Sequence, residues 1–279
     1  MSRPLRIEYP GALYYVNSKG NDGQSVFQDR EDFELFLQVL DHTATRYNWM
    51  VHSYCLMKSQ YHLLIETPDG NLSIGMRQLN GVYTQRFNQK HGRSGHLYQG
   101  RFKSILVERD AHFLDVGRDI LLSPVKANMV VDPESYPWSS WGYLNGSKTA
   151  PTWFVSKPTL ESFGTDREQA LSHYKQFVLE GKECNPWQHL KRQIFLGDED
   201  FIQRHLTQLE SLTGELGEIP SAQRRSAPLS LKEYEQKANS RDEAICLAFR
   251  SGGYTQKQIG AHFGLHYSRI SRIVSKGQA

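Results

Sequence analysis

The chain has 279 residues, 38% of them hydrophobic, and a formal net charge of +3. That length holds one large domain or two ordinary ones, and the near-neutral balance removes overall charge as an argument for nucleic acid. No apolar run reaches the ~18 residues of a membrane span, and the first residues, MSRPLRIEYPG, have no signal-peptide core, so a cytoplasmic protein without membrane contact is expected. Cys55, Cys184 and Cys246 lie far apart with no CxxC spacing, which argues for a reducing compartment and against a thiolate zinc site.

Ala12 to Ser18 predicts a strand with an aromatic pair, and Gly20 to Gly23 a loop. Asp29 can cap a helix that buries Phe33, Phe36, Leu37, Leu40 and Ala44 and ends near Asn48. Val51 to Thr67 reads as two strands meeting at Lys58-Ser59-Gln60, with a turn at Pro68-Asp69-Gly70. Gln60 and His62 are two apart and leave one face of the second strand, while Leu63 and Ile65 leave the other. Two such side chains on one face can place a divalent metal; the plainer reading is a core strand with one satisfied histidine.

Asn71 to Asn88 predicts a helix with Leu72, Met76, Leu79, Tyr83 and Phe87 on one side. Between Asp69 and Glu108 there is no acid, yet the interval holds Arg77, Arg86, Lys90, Arg93, Arg101 and Lys103, interleaved with Tyr83, Phe87, Tyr98 and Phe102. Cations for phosphates and rings for unpaired bases suit a nucleic-acid groove; a solvated basic face is the competing reading. A strand over His96 to Val107 and a helix over Ala111 to Leu122 follow, with Ser123-Pro124 ending or breaking that helix. The segment Tyr136 to Trp141 is expected to pack rather than react. Asp166 to Glu180 is a further amphipathic helix.

The chain turns polar from Gly181 to Pro228, with one helix near Asp198 to Leu212 and a linker after Gly214. Leu231 onward reads as an all-α unit: a helix over Ser240 to Phe249, a short one over Thr255 to Phe263, a turn at Gly264 and a third over His266 to Ser275. This is a helix-turn-helix pattern whose third helix carries Tyr267, Ser268, Arg269, Arg272 and Lys276, types suited to phosphate and base-edge contacts in duplex DNA. A helical packing module with a basic face is the alternative. The expected division is therefore 1–180, an α+β domain with a central antiparallel sheet flanked by helices; 181–230, a polar helical segment and linker; and 231–279, the helix-turn-helix unit.

Several stretches carry a resemblance: PGALYYVNSKGN, YCLMKSQYHLLIET, QLNGVYTQRFNQKHGRSGHLYQGRFKSILVERD, GRDILLSPVKANMV and YPWSSW, covering about residues 8–145. They resemble the REP-associated tyrosine transposases, relatives of the single-strand HUH transposases; the terminal GYTQKQIGAHFGLHYSRISRIV is similar to a module of some longer members. The resemblance implies a small α/β domain in which two histidines around a hydrophobic residue hold a divalent metal. There a helix tyrosine attacks single-stranded or hairpin DNA and stays linked to its 5′ end.

Three positions of this chain depart from that pattern. The first histidine falls on Gln60 in Gln60-Tyr61-His62, the tyrosine on Asp119 in Arg118-Asp119-Ile120, and the asparagine one turn on falls on Ser123. A carboxylate cannot store a phosphotyrosine link, and an amide is a poorer metal partner than imidazole. The leading expectation is a catalytically degenerate, sequence-specific DNA-binding factor, which acts at the nucleoid and is open to forming a homodimer. The alternative is an active metal-dependent transposase or nickase. In it Tyr83 or Tyr98 replaces the missing tyrosine, or Asp119 with the metal positions His62, Gln60 and Ser123 holds Mg²⁺ or Mn²⁺ for water-driven nicking. RNA binding or a role as an assembly partner is the third expectation.

Overall fold

The computed structural model describes residues 7–213, 229–251 and 254–276, and divides into two units, Met1–Thr207 and Gln208–Ala279. In the first unit β1 (Ala12–Lys19) leads through a short 3-10 turn into α1 (Arg30–Tyr47). Asp29 and Asp32 form a reciprocal capping box at the start of α1, and Asn48 ends it in the left-handed conformation at φ 54°. Next come β2 (Met50–Met57) and β3 (Gln60–Thr67), joined by the two-residue turn Lys58-Ser59. Then α2 (Leu72–Lys90), β4 (Lys103–Val107) and α3 (Arg109–Lys126) follow. The fourth strand is shorter than the sequence suggests, because 91–102 runs as a loop that touches the sheet through one bridge, Gly20 to Tyr98.

Pro124 does not end α3. It removes one amide donor near the C-terminus, but the last turn holds to Lys126, with Ala127 N donating to Ser123 O at 3.0 Å. The side chain of Lys126 also reaches back to Asp119 at 2.6 Å and across to the Cys184 carbonyl at 2.7 Å. Two short helices, α4 (Trp141–Leu144) and α5 (Lys157–Glu161), precede α6 (Arg167–Glu180), which Asp166 caps. The aromatic segment before α4 packs, as expected: the Tyr136 hydroxyl donates to Leu56 O at 2.7 Å, and Trp141 is 2% exposed.

Residues 190–196 form two strands of two residues each, β5 (Leu190–Lys191) and β6 (Phe195–Leu196), before α7 (Glu199–Thr213). Nothing in their length or alternation marks them as strands in the sequence. The sheet order is β2-β3-β1-β4-β6-β5. All neighbours are antiparallel except β4 and β6, so the sheet is mixed at that edge rather than purely antiparallel. On one face, α1 brings Phe36 onto Tyr61, and Tyr83 of α2 packs edge-on against Phe36. The other face, with Leu13, Tyr15, Cys55, Leu64 and Ile105, packs under Phe113, Val116 and Ile120 of α3.

The second unit contains α8 (Leu231–Lys237), α9 (Arg241–Arg250), α10 (Gln256–Phe263) and α11 (Tyr267–Lys276). Ile245, Ala248, Ile259, Ile270 and Val274 form its core. Thr255 caps α10 in a capping box, and Gly264 closes it at φ 64°. Gly260 is required as well, since a Cβ there would meet the Leu265 carbonyl oxygen at 2.4 Å.

Candidate functional site

The antiparallel register sets Asn17 opposite both His62 and Lys103, and Lys19 opposite Gln60. Opposed residues share a face, so Tyr15, Asn17, Lys19, Gln60, His62 and Lys103 all lie on the side that α3 covers. The Tyr15 hydroxyl and His62 Nδ1 are 2.6 Å apart, while His62 Nε2 is buried with no hydrogen-bond partner among the described residues. Burial drives the His62 imidazole down to about 4, against an upward pull from Asp119 and a further downward push from Lys19. This histidine is therefore neutral at pH 7. Burial, followed by the Asp119 charge, raises the Tyr15 phenol.

Asp119 comes to this site from α3, and its carboxylate is occupied. Lys126 Nζ lies 2.6 Å from Oδ1, and the Trp187 indole donates to Oδ2 at 2.8 Å. The Trp187 ring also lies over Tyr15, with centroids 4.3 Å apart. Ser123 sits one turn on, and its hydroxyl donates to the Asp119 carbonyl at 3.0 Å within the helix. The Gln60 amide has one weak contact, 4.0 Å from Met57 Sδ.

These donors do not fit a divalent cation. His62 Nε2 is the one orphaned nitrogen of the set, and it serves a metal only in the tautomer in which Nδ1–H donates to Tyr15. The Asp119 carboxylate is already taken by Lys126 and Trp187 and the Ser123 hydroxyl points back along its own helix, which leaves a single strong ligand and an amide. Among the described residues, one His/carboxylate group is close enough to hold a cation: Asp29, Asp32 and His91. There the Lys90 ammonium already lies 2.6 Å from Asp29 and 3.1 Å from Asp32, and His91 donates to Asp32. Asp32 also accepts the Gln28 amide, so the cluster reads as a buried carboxylate with its partners in place.

The structure separates both candidate tyrosines from His62. Tyr83 is fully buried on the α2 side of the sheet and its hydroxyl donates to Val26 O at 2.5 Å. Tyr98 packs edge-on against Tyr61, with centroids 5.9 Å apart; Tyr61 alternates with His62 on β3 and faces away from it. Burial raises both phenols. Phe87 and Phe102 are buried too, so the rings interleaved with the cations are core rather than platforms for bases. The interleaving is what an amphipathic element produces when one side is apolar and the other basic.

The cations themselves divide. Arg77, Arg86, Arg101 and Lys103 are exposed, and none makes an ion pair among the described residues. Lys90 is bound by three carboxylates, those of Asp29, Glu31 and Asp32. Arg93 is half-buried beside Phe87 and donates to Gln24. In α11, Tyr267, Arg269 and Arg272 are exposed while Ile270 and Val274 face the core; the side chains of Ser268 and Lys276 lie outside the described residues. Reasoning from sequence missed Tyr15, Lys19, Lys126 and Trp187. Period-2 alternation from His62 through its register could have found Tyr15 and Lys19, but no local signal marks Trp187, which meets Asp119 across 68 residues.

Residues 21–117 match the family described as "Transposase IS200 like". A solved structure described as the REP-associated tyrosine transposase bound to a REP hairpin is similar to this chain. It has 15% sequence identity and a TM-score of 0.46, over 54% of this chain and 89% of that one. No curated protein matches the chain. No helix among the described residues is long and apolar enough to cross a membrane.

Proposed function

We propose that this chain binds single-stranded or hairpin DNA through its transposase domain without cleaving it, and binds duplex DNA through its last helices. One observation carries the first part: the residue in the nucleophile's place, Asp119, is held by Lys126 and Trp187 rather than presented to a substrate. The alternatives lose ground on position, since Tyr83 and Tyr98 are buried behind the other face of the sheet. What is retained is the binding surface: Arg77, Arg86, Arg101 and Lys103 are exposed, and α11 offers Tyr267, Arg269 and Arg272. A DNA partner places the protein at the nucleoid, and a homodimer is compatible with this role. Mg²⁺ or Mn²⁺ has no step in the reading.

The test mixes the protein with Mn²⁺ and an end-labelled hairpin from beside its own gene. The expected result is a shifted complex with neither a shortened strand nor a covalent adduct. A Q60H/D119Y double variant, which restores the imidazole and phenol, is expected to form a 5′-phosphotyrosyl adduct if the ancestral geometry persists under Trp187. Cleavage by the native chain would overturn the reading, whatever the variant does.

A further inference from the structure

The turn between β2 and β3 does more than join two strands. Its Lys58 carbonyl accepts the amides of Val26 at 2.8 Å and Phe27 at 3.1 Å, and Ser59 O accepts Gly20 N at 2.8 Å. These bonds lay the loop before α1 against the turn. The approach is close enough that a Cβ on Gly20 would stand 2.0 Å from the Gln24 carbonyl oxygen. The loop after α2 closes the third side through Arg93, whose guanidinium lies 5.8 Å from the Phe87 ring centroid and donates to Gln24 Oε1. Between the three segments is a cleft of about 520 Å³ lined by Gln24, Ser25, Gln28, Lys58 and Arg93.

The chemistry of that lining is one-sided. It holds two cations, two amides and a hydroxyl, and no carboxylate. The nearest acid in sequence, Asp29, caps α1 and is paired with Lys90 at 2.6 Å. Lys58 is exposed, and its ammonium makes no ion pair or hydrogen bond among the described residues. A fixed cation, a free cation and neutral donors around one space suit an anion that carries several acceptor oxygens. The cleft size falls within the roughly 300–1,000 Å³ of ordinary ligand sites.

We propose that this cleft seats a backbone phosphate of the bound DNA, with Lys58 and Arg93 as the phosphate ligands. It rests on the DNA-binding reading above and adds a second anchoring point to it. The experiment titrates a fluorescent hairpin carrying a single-stranded extension against the full chain, K58A, R93A and K58A/R93A across a salt series. K182A, an exposed lysine outside the cleft, serves as control. The double variant is expected to bind about tenfold more weakly, with a salt slope shallower by roughly 0.7 per lost contact. In parallel, bound DNA is expected to protect Lys58 of the native chain from acylation, read by mass spectrometry. K58A removes no ion pair or side-chain hydrogen bond among the described residues, so its result stands even if R93A loosens the Gln24 loop. Unchanged affinity and slope in K58A, with Lys58 unprotected, overturn the cleft and leave DNA binding intact. Failure of the native chain to bind the hairpin overturns both.

Discussion

His62 is kept neutral by where it sits. Its imidazole titrates at about 4 in the fold against an ordinary value of 6.5, so between those values the unfolded chain takes up a proton that the folded chain refuses. The contribution of His62 to stability is complete above pH 6.5 and is lost as pH falls toward 4, on the order of 3 kcal/mol in all. Thermal melts of native chain and H62Q from about pH 7 to about pH 4.5 check this: the native midpoint is expected to fall faster than the variant's. Parallel curves would mean the imidazole is not the titrating group. The shared face of Gln60 and His62 was legible from alternation alone. The partners of Asp119 were not, because Lys126 depends on α3 running past Pro124, and Trp187 arrives from a loop 68 residues away.

At the scale of elements, capped and strongly periodic helices were readable: α1, α2, α6 and α10 begin within about two residues of the signals that Asp29, Asn71, Asp166 and Thr255 give. Tertiary contacts decided the rest. The tie from Lys126 to Asp119 and to Cys184 O holds a turn that proline should weaken, and β5 and β6 exist only because a neighbouring strand pairs with them. In α11, burial of Ile270 and Val274 leaves Arg269 and Arg272 exposed, one turn apart. The double variant R269A/R272A is therefore expected to bind duplex DNA more weakly, with a salt slope shallower by about 2, while its hairpin binding is unchanged. Equal duplex affinity and slope in variant and native chain would remove α11 from the interface.

At the scale of the whole molecule, the stretch that composition marks as polar from Gly181 holds strands as well as the expected helix, while the linker expected after Gly214 falls on 214–228, outside the described residues. β6 lies parallel to β4, with Leu106 N donating to Ile194 O and Glu108 N to Leu196 O, each at 2.8 Å. Phe195 and Leu196 are fully buried. A sheet whose last long strand ended unpaired would offer a ready template for another chain to add to. Here the protein supplies that missing neighbour itself, from a segment that a shortened version ending at 180 would discard. Such a version is expected to self-associate in size-exclusion chromatography with light scattering, where one ending at 213 keeps the size distribution of the full chain's first unit. Equal behaviour of the two would show that β4 needs no cover. The four residues of β5 and β6 are therefore expected to act as a guard on colloidal behaviour, which a boundary drawn at 180 would cut away.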